Sequence, residues 1–156
     1  MNTSALKSFA QSSRHRLIEQ VSTKLQLIIA PGSAARRENP EAIRKLEKLI
    51  TKHGEQQVIE KNAYIWFNRL CALRFMDANG YTRIAVVSPK QDQTQPEILV
   101  EAKSGYFDDS LTPKETQNQV LSFLNRSSPS NDPESEAYRL LVVAACNYYH
   151  KAMPYL

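Results

Sequence analysis

The sequence predicts a mainly α-helical bundle of about five to six helices, with one short extended segment near residues 82–88. Three observations carry this. Apolar residues recur at three- and four-residue spacing through most of the chain. Asn39-Pro40, Thr112-Pro113 and Asp132-Pro133 each read as a capping residue followed by Pro at the first helical position. Only one stretch, YTRIAVVSP, favours extended backbone. With 156 residues, 42% hydrophobic and 23% charged, the chain suits one domain, 1–156, with a real core and no internal repeat.

The first element is a long amphipathic helix over 3–29, with Leu6, Phe9, Ala10, Leu17, Val21, Leu25 and Ile28 along one face. Pro31-Gly32 ends it and SAARRE reads as a linker. Asn39 caps a second helix closed by His53-Gly54. Ile43, Leu46, Leu49 and Ile50 form its inner face. A third helix runs from about Glu55 to Asn79. Its second half, AYIWFNRLCALRFMDANG, is apolar nearly all round and so belongs at the centre of the fold. Trp66, Phe67, Leu70 and Phe75 are its candidate core. Arg74 and Asp77, three residues apart, are expected to meet, because a lone buried charge is costly. TQPEILVEAKSG reads as a short helix capped by Thr94 or Gln95. Thr112 opens a capping box, and the helix it begins runs to about Leu124. Asp132 caps the last helix, which carries Tyr138, Leu141, Val142, Ala145, Cys146 and Tyr149 and stops at Pro154.

Cys71 and Cys146 sit inside apolar helical patterns and read as two buried free thiols in a reducing compartment. There is no signal peptide and no run long enough to span a membrane, so a cytoplasmic protein is expected. The net charge of +4 is unevenly spread. Residues 1–80 hold 13 Lys/Arg against 7 Asp/Glu, and residues 81–156 hold 7 against 9. Arg36, Arg37, Arg44, Lys45, Lys48 and Lys52 form a candidate phosphate-facing stripe for DNA. The plainer alternative is a solvated helix face with Glu41 paired to Lys45.

Catalytic patterns are scarce. Ile98 to Lys103 imitates the Glu-x-Lys strand end of Mg²⁺-dependent nucleases, with Glu101 as the metal ligand. That reading needs a sheet and an upstream Asp, and neither Asp77 nor Asp92 lies in one. His15, His53 and His150 are scattered, so no metal site is expected. Asp108-Asp109 reads as a solvated turn, and Tyr148-Tyr149 as core. No glycine-rich phosphate loop is present.

MNTSALKSFAQSSRHRLIEQVSTKL, AYIWFNRLCALRFMDANGYTRIAVVSP, TQPEILVEAKSG and ESEAYRLLVVAACNYYHKAMPYL together resemble the N-terminal region of the PglX family. These are the adenine-specific DNA methyltransferases of BREX phage-defence systems. The resemblance spans essentially the whole chain and is weakest over 31–54. It implies a longer parent that is an S-adenosylmethionine-dependent enzyme, with a Rossmann-like domain and an Asn-Pro-Pro-Tyr motif for the flipped adenine. This chain departs from that pattern: the nearest imitation, Asn131-Asp132-Pro133-Glu134, is a helix cap. No catalytic or cofactor-binding residue carries over, so the chain alone is not expected to be an enzyme or to bind a cofactor. The expected role is bracing the catalytic domain, positioning DNA, or docking other BREX components. The aromatic-rich end of the last helix suits packing on the remainder of the methyltransferase. The alternative is a stand-alone helical regulator or decoy that binds DNA or a partner.

Overall fold

The computed structural model describes residues 3–152, with side chains to residue 151. Among these residues it holds seven helices and no strand. They are α1 (Thr3–Ile29), α2 (Ala34–Glu38), α3 (Pro40–His53), α4 (Glu55–Ala78), α5 (Glu97–Lys103), α6 (Lys114–Leu124) and α7 (Pro133–Ala152). The mainly helical class is as expected. The chain groups into two compact units, 1–68 and 69–156, that divide within α4. Pro154 and the end of the aromatic tail lie outside the described residues.

The first unit holds α1, α2, α3 and the first part of α4. Its buried apolar residues are Leu25, Ile43, Val58, Ile59 and Ala63. Leu6 and Phe9, read as part of the inner face of α1, are exposed. SAARRE is a short helix rather than a linker. Ser33 accepts a hydrogen bond from the Arg36 amide at 3.2 Å and donates its hydroxyl to the Ile28 carbonyl at 2.7 Å. One side chain therefore closes α1 and opens α2. Asn39 stands at the N-cap of α3, but its side chain makes no capping bond there. Gly54 alone joins α3 to α4, with φ +84, a conformation open to residues without a Cβ.

The second unit holds the rest of α4 with α5, α6 and α7. Leu73, Val86, Val120, Ala137, Leu141 and Ala145 are fully buried. α6 and α7 pack along each other, and α5 packs on both. Pro96 and Pro113 are the N-caps of α5 and α6, one residue beyond the caps read from sequence, and neither Thr94, Gln95 nor Thr112 supplies a capping side chain. Asp132 does cap α7, accepting from the Ser135 amide at 3.1 Å.

The candidate core on α4 is corrected. Leu70 is 36% exposed and Phe75 60%, while Trp66 and Phe67 are half-buried. Leu73 and Met76 point inward instead. A helix that is apolar all round gives no direction to its own pattern, so its neighbours choose the buried side. Cys71 is exposed and Cys146 buried, and both are free thiols. The extended segment near 82–88 has no partner strand. One isolated bridge, Pro89 to Pro96, lies just beyond it.

Candidate nucleic-acid interface

α3 carries the charge. At about 100° per residue, Arg44, Lys48, Lys52 and Lys45 fall in a strip about 100° wide on its outer face. All four are exposed, and none forms an ion pair among the described residues. The pairing of Glu41 with Lys45, which would make this an ordinary solvated face, is absent there. Arg44, Lys48, Thr51 and Lys52 line a shallow groove of about 380 Å³, with Glu47 at its edge.

Arg36 does not join this strip. Its Nη2 donates to the Ile29 carbonyl at 2.7 Å and to Glu47 Oε1 at 2.6 Å. It therefore ties the end of α1 to α3 and neutralises the carboxylate beside the cations. Arg37, also read as part of the stripe, is exposed on α2. The structure thus brings four of the six predicted cations onto one helix face and gives Arg36 a positioning role.

Next to this strip lies a cleft of about 770 Å³ lined from α1, α3 and α4. Leu49 and His53 form its α3 wall. They follow the cationic strip directly around the helix. Ile18, Val58 and Ile65 supply apolar surface, and Arg14 and Lys61 supply charge. Tyr64 lines it while 54% exposed. Sequence reasoning missed this cleft because it assigned Leu49 to the inner face of α3. The available signal was positional: Leu49 stands at the edge of that face, beside Lys45 and Lys48.

The second unit holds the main polar cluster, and it is structural. Asp77 accepts from the amides of Val86 at 3.0 Å and Val87 at 2.9 Å. It also accepts from the hydroxyls of Thr82 at 3.0 Å and Ser88 at 2.9 Å. Arg74 reaches Asp77 only through Ser88, donating to its oxygen at 2.6 Å. The expected meeting of Arg74 and Asp77 therefore takes place across a hydroxyl. Glu97 accepts from the Ala85 amide at 3.0 Å. In return, the Glu97 and Ile98 amides at the start of α5 donate to the Ser88 and Ala85 carbonyls. The segment so satisfies orphan donors of the helix, and the helix satisfies the segment. Tyr138 donates to the Val86 carbonyl at 3.1 Å. Burial, and then the Asp77 charge, push its phenol up to about 12.

Ser88 is buried and its hydroxyl is committed to Asp77. Glu101 lies on a helix beside Lys90 at 3.6 Å, not at a strand end, so the nuclease geometry is lost. No group of three potential metal ligands occurs among the described residues. Asp108 and Asp109 are separately engaged. Ser110, then Arg83, hold Asp108 below its ordinary range, and Lys114, then Gln117, do so for Asp109. Asp132, in Asn131-Asp132-Pro133-Glu134, engages Ser135, which holds its carboxyl below the ordinary range. Tyr148, read as core, is exposed, and its ring meets Tyr149 edge-on at 5.1 Å. No described helix is long and apolar enough to cross a membrane.

The chain is similar to the Adenine-specific methyltransferase BrxX of Escherichia coli O9:H4 (strain HS). The two are 31% identical over 114 residues, which is 72% of this chain and 9% of that protein. It is also similar to the Adenine-specific methyltransferase PglX of Lacticaseibacillus casei (strain Zhang). Here the identity is 29% over 133 residues, 65% of this chain and 11% of that protein. The chain thus spans about a tenth of the length of the relatives it matches. No protein-family profile and no solved structure matches it.

Proposed function

This chain is related to the BREX adenine-specific methyltransferases as a partial segment of them, and we propose on that premise that it is their non-catalytic N-terminal region, positioning DNA for a catalytic domain elsewhere. In this reading residues 1–156 act as one functional region. S-adenosylmethionine and the adenine-N6 chemistry belong to the remainder of the longer chain, which is the region's covalent partner in phage defence. Other BREX components are further candidates for docking. The observation that carries the DNA role is the exposed, unpaired strip of Arg44, Lys45, Lys48 and Lys52 on α3. Such a strip meets phosphates without reading bases, so binding is sequence-independent and salt-dependent.

The test is duplex binding across a salt series. Log affinity should fall linearly with log salt, with a slope of about −0.9 for each phosphate engaged. Arg44→Glu combined with Lys48→Glu should weaken binding roughly tenfold or more and flatten the slope by about two contacts. Unchanged affinity in that double variant would refute the DNA role.

A further inference from the structure

We infer that the cleft between α1, α3 and α4 is a binding site for unpaired bases of a single-stranded polynucleotide whose phosphates follow the α3 strip. The inference rests on the phosphate-positioning reading of α3 and adds the chemistry of the ligand. A duplex engaged only through its backbone needs cations and has no use for an apolar floor. Here the cations and the floor share a helix. Lys45, Lys48 and Lys52 stand on one side of Leu49 and His53, and the cleft opens on the other. Tyr64 presents an exposed ring beside Val58 and Ile65, suited to the flat face of any base. Arg14 and Lys61 add positive charge within the cleft, with Glu60 the one carboxylate among the lining residues. The first unit as a whole carries 11 Lys/Arg against 6 Asp/Glu over residues 1–68. A ligand with charges on successive repeats and apolar faces between them complements this arrangement. Single-stranded nucleic acid has that chemistry, and groove cations with aromatic platforms are how proteins hold it without sequence preference. An amphipathic acidic peptide also pairs charge with apolar surface, but its charges need no repeat along about two turns of α3.

The experiment measures anisotropy of a fluorescein-labelled oligothymidylate and of a hairpin duplex of equal charge, each titrated with the chain at low salt. The oligothymidylate should bind more tightly. Tyr64→Ala should weaken it roughly tenfold and leave the duplex unchanged. Tyr64→Phe, which keeps the ring, should restore it. Lys48→Glu with Lys52→Glu should weaken both ligands. Helical circular dichroism checks that each variant is folded, which the exposure of Tyr64 favours. If Tyr64→Ala weakens both ligands equally or neither, the cleft has no base-binding role, while the strip can still hold duplex. Failure of the native chain to bind either ligand overturns both readings. A Glu-rich amphipathic peptide that binds more tightly than the oligothymidylate, and loses affinity in Tyr64→Ala, overturns this one in favour of a protein partner.

Discussion

The two units solve opposite problems. Residues 1–68 bury five of the described core residues and leave their charges outward, whereas residues 69–156 bury three times as many. The second unit also directs two carboxylates, Asp77 and Glu97, at the backbone of the 82–88 segment. The first has a thin core and an open, cationic surface. The second has a dense core and committed polar groups. Exposed charge and buried core are therefore concentrated in different parts of one chain, and substitutions should act differently in each.

The largest effect should come from the dense core. Leu141→Ala, at a fully buried position, should cost about 2–5 kcal/mol in urea unfolding. Leu27→Ala, on the exposed side of α1, should stay within about 0.5 kcal/mol. Equal costs would erase the contrast. Asp77→Ala should come next, at roughly 2–4 kcal/mol, because it leaves two amides and two hydroxyls without their acceptor. Hydrogen exchange should then accelerate at Val86 and Val87 while the α3 amides are unaffected.

The pH dependence follows from the second unit on both sides. Tyr138 is raised to about 12 from an ordinary 10. Its folded state holds the proton more tightly than the unfolded state, so its contribution is complete below pH 10 and is lost as pH rises through about 12. Tyr138→Phe should flatten that alkaline loss, read by urea midpoints alongside tyrosinate absorbance. Asp108 and Asp132 are lowered from 3.8 by their Ser110 and Ser135 partners. Their contribution is present above that value and is lost as pH falls through the lowered ones. The smallest effect belongs to the first unit. Arg36→Ala should cost about 1 kcal/mol and, by freeing Glu47 beside the cations, weaken duplex binding a few-fold. A loss of stability with unchanged binding would detach Arg36 from the strip.

The helices were legible because each is written locally, in apolar spacing and in Pro or Gly at its ends. The cationic strip was legible for the same reason: Arg44, Lys48 and Lys52 recur every four residues. What stayed hidden depends on neighbours far along the chain. No local signal says that Leu73 rather than Phe75 turns inward, that Arg36 reaches the Ile29 carbonyl, or that Asp77 gathers amides nine and ten residues away. The short α2 escaped because its cap, Ser33, resembles any polar loop residue until the Arg36 amide is seen to meet it. Leu49 shows how a helical face misleads at its margin, where one step of rotation turns core into cleft wall.

Asp77 and Glu97 hold a segment whose composition favours strand pairing. Ile84, Val86 and Val87 make a β-prone run with no strand beside it. Unpaired backbone on such a run is a template for another chain, and self-association into sheets begins there. Asp77 and Glu97 occupy the Ala85, Val86 and Val87 amides that an incoming strand would use. The same two side chains therefore withhold these three donors from any incoming strand.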